Sequence, residues 1–422
     1  MFVYAENQLL VDNMKTRVFQ AAVISLLVLS LTAAAQKRRD NFSLEARGYG
    51  GYLFENKVDF KNHYFGSADI TAGFTSDLTG GDAYSAAYGY PTYGLGACAC
   101  FLSDISLPEP SSLGNFYSLY GFFERDVFRY RNFTAGYSLE FGGAYNPVRY
   151  DPVINPQNYY VSSVIMVHAA AGLHAKWRFA GNFEAGLRFR AKHYSNGRSA
   201  LPNYGLNMLE AGLSLGYYFI SDQRSGGGSF ADGTADYDIA EKTPSVKGFE
   251  FHITLGAGPH CTGSDWNRYN RRVKEPAERE TDFRMYPRFS ISADAMYRYC
   301  LKAGTGLLLE AFCVPDIKTL EKNDRAIYGD DAVEDGPGYS PFSMGIAVVQ
   351  EFHFRNFAVW GALGIYPFKP KLGLSGDVSW NYQKGGVRYY VPKWGDIFFG
   401  LAVKANDFQE SEYMEFSIGI RL

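Results

Sequence analysis

His193 and Ser195 stand two residues apart at the end of an alternating segment, residues 181–196. With a period of two, Phe183, Ala185, Leu187, Phe189 and Ala191 share one face, and Glu184, Gly186, Arg188, Arg190 and Lys192 share the other. Only a β-strand sorts residues this way. His193 and Ser195 continue the apolar face, with Cα atoms about 6–7 Å apart, close enough for their side chains to touch. A serine hydroxyl is a weak nucleophile at neutral pH unless a histidine takes its proton, and a third group must orient that histidine. Asn207 is a candidate for that third group. In the next alternating segment Leu209, Ala211, Leu213, Leu215, Tyr217 and Phe219 take the apolar parity against Glu210, Gly212, Ser214 and Gly216, and Asn207 falls with the first set. The two segments are joined by a short loop, so they pair as a hairpin and bring Asn207 towards the imidazole. The chemistry such a trio performs is hydrolysis of an ester. A histidine and a serine at this spacing also arise by chance. Three polar residues at the end of an apolar face are harder to explain, because a polar group facing lipid is costly, although the headgroup belt tolerates one.

Composition indicates what carries these segments. In 422 residues there are 32 Tyr, 33 Phe and 45 Gly. Many aromatics and glycines on half-apolar strands fit a transmembrane β-barrel. No apolar run of 18 or more residues follows the N-terminal region, which argues against helical membrane spans. From Met14, a positive start (Lys15, Arg17), an apolar core (Val18–Leu31) and a small-residue site at Ala33–Ala35 form an export signal, residues 14–35. The mature chain is expected from Gln36. Net charge is −3 and points to no polyanionic partner, nucleic acid included. The five cysteines, Cys98, Cys100, Cys261, Cys300 and Cys313, lack metal-ligand spacing, and most read as small apolar groups on a lipid face. No metal or cofactor is expected.

Alternating runs recur from about residue 42 to the end, sixteen in number with fourteen as the fallback. Tight turns fall at 129–131, 179–182, 301–303, 354–356 and 391–395. Longer polar connections fall at 102–114, 145–160, 196–205, 260–284, 316–341 and 368–383. Short turns on one side and long loops on the other are how outer-membrane barrels are built, with the termini on the short-turn side. The last run alternates Met414, Phe416, Ile418, Ile420 and Leu422 against Tyr413, Glu415, Ser417, Gly419 and Arg421, as a closing strand would. The polar, Gly-rich stretch 221–246 breaks the scheme, as a linker or as the mark of a missed strand. Arg188, Arg190 and Lys192 take the inward parity, which favours a lumenal charge network over a phosphate site. His63, His168, His174, His252, His260 and His353 show no ligand spacing and receive no role.

His193-Tyr194-Ser195-Asn196-Gly197, followed by Pro202-Asn203-Tyr204-Gly205-Leu206-Asn207, resembles the signature of the PagL-type lipid A deacylases, in particular the long acyloxyacyl hydrolases of Bacteroidetes-type bacteria. Residues 91–96, 150–152, 155–158 and the closing strands are similar to that group as well, so the resemblance spans most of the mature chain. Only the His193–Asn207 block is specific for chemistry. The resemblance implies an outer-membrane esterase with Ser195 as nucleophile and His193 as general base. It places Asn203 at the oxyanion, with backbone help from Asn196 or Gly197. The family's third member is a glutamate, and Asn207 stands there. An amide can orient a histidine but cannot stabilise imidazolium by charge.

The resulting expectation is an all-β chain forming one transmembrane antiparallel barrel over residues 36–422, in the bacterial outer membrane. It would remove an ester-linked acyl chain from lipid A (lipopolysaccharide) reaching it through the outer leaflet, without a cofactor. The oligomeric state is left open. The alternative is a non-catalytic barrel, a channel or a structural envelope protein.

Overall fold

The computed structural model describes residues 41–55, 59–75, 83–219, 246–376, 378–408 and 410–422. The expected export signal and nearly all of the Gly-rich connection 221–246 lie outside these residues. Eight antiparallel strands come first: β1 (Asn41–Phe54), β2 (Tyr64–Thr75), β3 (Thr92–Phe101), β4 (Asn115–Tyr130), β5 (Phe133–Tyr145), β6 (Ile165–Phe179), β7 (Phe183–Ser195) and β8 (Leu206–Phe219). They form a closed barrel, with β8 returning to β1 in a register that runs from Phe42 opposite Phe219 to Phe54 opposite Asn207. A second closed barrel follows in β9 (Gly248–Cys261), β10 (Met285–Cys300) and β11 (Ala303–Cys313). After β12 (Tyr339–Ser340) it continues through β13 (Phe342–Phe354) and β14 (Phe357–Phe368). After β15 (Lys371–Leu372) it is completed by β16 (Asn381–Tyr390), β17 (Ile397–Asn406) and β18 (Glu410–Arg421). Here β18 closes on β9, with Phe416 opposite Ala257 and Arg421 opposite His252. The short β12 and β15 pair only with each other.

The all-β class, the antiparallel order and the sixteen spanning strands agree with expectation; the single barrel does not. The fourteen-strand fallback falls away with it. The reason lies in the lumen. An eight-stranded cylinder is just wide enough for its own side chains to fill, and the inward residues here are chosen for that bore. In the first barrel Arg188 pairs with Glu45 and Glu124 at 2.6 Å each, and Arg190 with Asp69 at 2.6 Å and Glu140 at 3.0 Å. Arg190 also meets Glu210, which Lys192 holds at 2.7 Å, and Lys176 reaches Glu124 at 2.7 Å. In the second, Lys384 joins Glu310 at 2.6 Å to Glu415 at 2.9 Å, and Arg388 joins Glu351 at 2.6 Å to Asp294 at 3.2 Å. Apart from the Glu210 pairs, which join the neighbouring β7 and β8, these contacts reach across the bore between strands two to four places apart in the ring. A sixteen-stranded ring would hold opposite walls far apart around a water-filled bore. Chain entropy does not decide the matter, since doubling the loop to be closed costs only about 0.6 kcal/mol.

The charge pairs also confirm the inward reading of Arg188, Arg190 and Lys192, and Glu184 joins the same network beside Lys176 and Arg178. The buried Cys98 and Cys100 correct the lipid-face reading: they share the inward parity of β3. Cys261 is also buried, at the end of β9, and all five thiols are free. Outward residues are mostly apolar and exposed, as in Ile70, Leu187 and Leu213 of one barrel and Leu255, Leu307 and Leu363 of the other.

The two barrels touch at their rims. On the short-turn side, the connection from β2 to β3 carries a short helix (Ala83–Ala87) that the sequence reading missed. There Arg298 donates to the Tyr84 hydroxyl (2.8 Å), Lys302 to the Ala87 carbonyl (3.1 Å) and Arg355 to Ser85 and Tyr93. On the long-loop side, the Cys261 amide donates to the Arg198 carbonyl (2.8 Å) and the Tyr150 ring lies edge-on to Trp266. Between the rims, Leu173 and Leu187 on one wall, and Ile253, Phe416 and Ile418 on the other, stay exposed.

Candidate active site

β7 and β8 position the candidate residues. Strand parity puts every second residue of β7 inward from Glu184 to Tyr194, so His193 and Ser195 fall on the outer face, half-buried. In β8 the same alternation turns Asn207 outward. The hairpin register sets His193 directly opposite Asn207, and their side chains meet, Nδ1 to Oδ1, at 2.7 Å. A carbonyl oxygen only accepts, so this contact fixes the proton on Nδ1 and leaves the Nε2 lone pair free to accept one. Ser195 closes β7 opposite Val167 of β6 and makes no side-chain hydrogen bond among the described residues.

The loop 196–205 completes the surroundings. Asn203 Oδ1 accepts from the Asn196 amide at 3.3 Å. This turns the two hydrogens of the Asn203 amide nitrogen, which makes no hydrogen bond among the described residues, to other use. The Asn196 side chain is buried and spent on the loop: its amide nitrogen donates to Ser162 Oγ (3.0 Å) and the Ala200 carbonyl (3.1 Å), and its oxygen accepts from the Arg198 amide (2.9 Å). With its backbone amide taken by Asn203, Asn196 has no donor left for an oxyanion. Of the two backbone donors expected, Gly197 is the one that remains. Gly197 takes a positive φ (+59°) and abuts Met414 of β18, so the second barrel presses on this loop.

Sequence reasoning missed Gly205. Its φ is +66°, and a Cβ there would lie 2.9 Å from His193 Cε1 and 3.1 Å from the Tyr194 carbonyl. A glycine just before an alternating run is the signal that marks such a close approach. Gly205→Ala is expected to tilt the imidazole and break the contact with Asn207, at a cost of about 1 kcal/mol or more in stability. The proton NMR signal of the His193 Nδ1–H checks this: it should move upfield or vanish in the variant, and an unchanged signal would show that the ring does not rest on Gly205.

Below the trio a shallow apolar groove of about 580 Å³ runs along the outer wall, lined by Leu173, Leu187, Phe189, Ala211 and Leu213. Phe189 and Ala211 share the outward parity of His193 and Asn207, four residues away or about 13 Å along the strands. Among the described residues no three His, Cys, Asp or Glu side chains come together as a metal-binding group. The second barrel carries His252, His260 and His353, and all three are buried and face inward. It therefore presents no histidine to lipid.

Residues 249–422 match the family model described as the acyloxyacyl hydrolase C-terminal domain. The matched segment coincides with the second barrel, and the His193 site lies outside it. No curated protein matches the chain. Among solved structures, Neisserial surface protein A is 8% identical, covering 42% of this chain and 97% of its own, with a TM-score of 0.28. The outer membrane enzyme PagL is 16% identical, with coverage of 40% and 97% and a TM-score of 0.28. The N-terminal barrel domain of Pseudomonas aeruginosa OprF is 16% identical, with coverage of 43% and 99% and a TM-score of 0.23. The division into two barrels rests on strand pairing rather than on these likenesses. The chain is a bacterial outer-membrane β-barrel protein, and its second barrel is similar to the acyloxyacyl hydrolase C-terminal domain.

Proposed function

We propose that this protein is an esterase of the outer membrane that removes an ester-linked acyl chain from lipid A, with its site on the lipid side of the first barrel. The observation that carries this reading is the 2.7 Å contact between His193 Nδ1 and Asn207 Oδ1 on a face otherwise apolar, with Ser195 on the same parity. In this mechanism His193 Nε2 takes the Ser195 proton as Oγ attacks the ester carbonyl carbon. The oxyanion that forms accepts from the Asn203 amide nitrogen and the Gly197 backbone. Collapse of the tetrahedral intermediate breaks the bond to the alkoxy oxygen, which takes the proton back from His193. Water then releases the fatty acid from Ser195 by the same route in reverse. The groove below the trio suits the acyl chain, and the carbonyl at its upper end would lie at the level of Ser195. A channel is disfavoured, because ion pairs that exclude solvent fill both lumens.

Mass spectrometry of lipid A incubated with the refolded protein tests the reading. Loss of one acyl mass, absent with Ser195→Ala, supports it; an unchanged spectrum from folded protein overturns it. Asn207→Glu is a second test. A hydrogen bond to a carboxylate is worth about 1.5–3 kcal/mol against about 0.5–1.5 for a neutral one. The gain as imidazolium forms is therefore expected to raise kcat about tenfold. A lower kcat would mean that the longer side chain disturbs the imidazole more than its charge helps.

A further inference from the structure

On the second barrel a cavity of about 970 Å³ opens at the long-loop rim between the ends of β13 and β14, residues 369–376 and Trp380. Its size is at the upper end for ligand pockets. The lower wall is apolar and exposed, with Phe342, Met344 and Phe368, and it continues upward the lipid-facing band of Leu363 and Ile365. The upper wall carries Lys369 and Lys371, with the Lys369 ammonium 5.7 Å from the centre of the Trp380 ring. Lys371 is exposed and makes no side-chain ion pair among the described residues. A tryptophan at this height marks the headgroup level of a membrane.

The cavity is built rather than left over. β12 and β15 pair across its roof, with Tyr339 opposite Leu372 and Ser340 opposite Lys371. Behind them the fully buried Asp324 accepts from the Leu374 amide (2.8 Å), the Ser375 amide (3.2 Å), the Ser375 hydroxyl and the Tyr339 hydroxyl (2.8 Å). One carboxylate thus pins both loops that form the roof. In the ring of strands, β13 and β14 stand opposite β9 and β18, which touch the first barrel at this rim. The cavity is therefore remote from Ser195 and is not part of the hydrolytic site.

An apolar floor at acyl depth beneath two ammonium groups at headgroup depth is complementary to one class of ligand. We infer that this cavity binds the phosphorylated, multiply acylated glycolipid of the outer leaflet, with acyl chains on Phe342, Met344 and Phe368 and a phosphate at Lys369 and Lys371. This lipid is held, not cleaved.

The test uses the full chain carrying Ser195→Ala, folded in a zwitterionic detergent and titrated with lipid A or with phosphatidylglycerol. Native mass spectrometry counts the lipids retained. Two lysines near a lipid surface contribute about 1 kcal/mol each, so Lys369→Gln with Lys371→Gln should weaken one lipid A binding event about thirtyfold. The count falls by one in that variant whether or not the Ser195 site also holds a lipid, so failure here and failure of the esterase reading are separable. Deacylation by the same double variant with Ser195 restored should be unchanged. Equal retention of lipid A by parent and variant, both shown to be folded, would overturn the inference. So would phosphatidylglycerol bound as tightly as lipid A.

Discussion

Ser195→Ala should lower fatty-acid release from lipid A by about 10³-fold or more, and His193→Gln should do the same. The argument rests on the division of labour between them. Without the imidazole the hydroxyl stays protonated, and without the hydroxyl the imidazole has no nucleophile to activate. The double variant should therefore be no slower than either single one, leaving only the rate supplied by Asn203, Gly197 and binding. Fatty-acid release measured on all three variants decides this. Losses that multiply would show two residues acting separately, and the shared proton transfer would have to be abandoned. Neither substitution should affect folding, because both side chains lie on the outer face and neither joins the lumenal network.

Arg190→Met should be the most damaging single change to stability. The guanidinium touches Asp69, Glu140 and Glu210 and stacks 4.0 Å from the Tyr49 ring centre. After its removal, Glu210 keeps Lys192, and Glu140 keeps Arg47 at 3.3 Å. Among the described residues Asp69 then keeps the Tyr120 hydroxyl at 2.6 Å as its side-chain hydrogen bond, deep in the bore. Removing one member of a buried ion pair costs about 3–5 kcal/mol, because the remaining charge is desolvated without compensation. Unfolding in urea from detergent micelles should register a loss of that size. Adding Asp69→Leu should restore much of it, since replacing both partners with apolar groups is often close to neutral. A double variant as unstable as Arg190→Met would place the damage in packing or in the other two carboxylates.

Much of the candidate site was legible because strand parity is a local property. Whether His193, Ser195 and Asn207 share a face depends only on counting by two from Phe189 and Leu209, and the structure keeps that count without a bulge in β7 or β8. The pairing of His193 with Asn207 needed only the hairpin. What escaped depends on contacts far apart in sequence. Nothing in Leu206–Phe219 says that its second neighbour is β1 rather than β9, for the two alternatives present similar alternating edges. The choice emerges only when Arg188 finds Glu45, 143 residues away. The grip of Met414 and Cys261 on Gly197 and Arg198 is of the same kind. Cys98 and Cys100 were misplaced for another reason. Both parities of β3 hold small residues, and only Leu95 and Phe101 mark the lipid side.

The internal position of β8 bears on how the chain tolerates being cut. Each cylinder is sealed by its own last strand, one at Leu206–Phe219 and the other at Glu410–Arg421. Removing the final twelve residues would unzip the second sheet along two seams, yet every rung of the first ladder would still have its partner. What the first cylinder would lose is the weight of Met414 against Gly197. The terminal strand thus serves the distant serine as a remote brace rather than as a wall of the vessel that carries it.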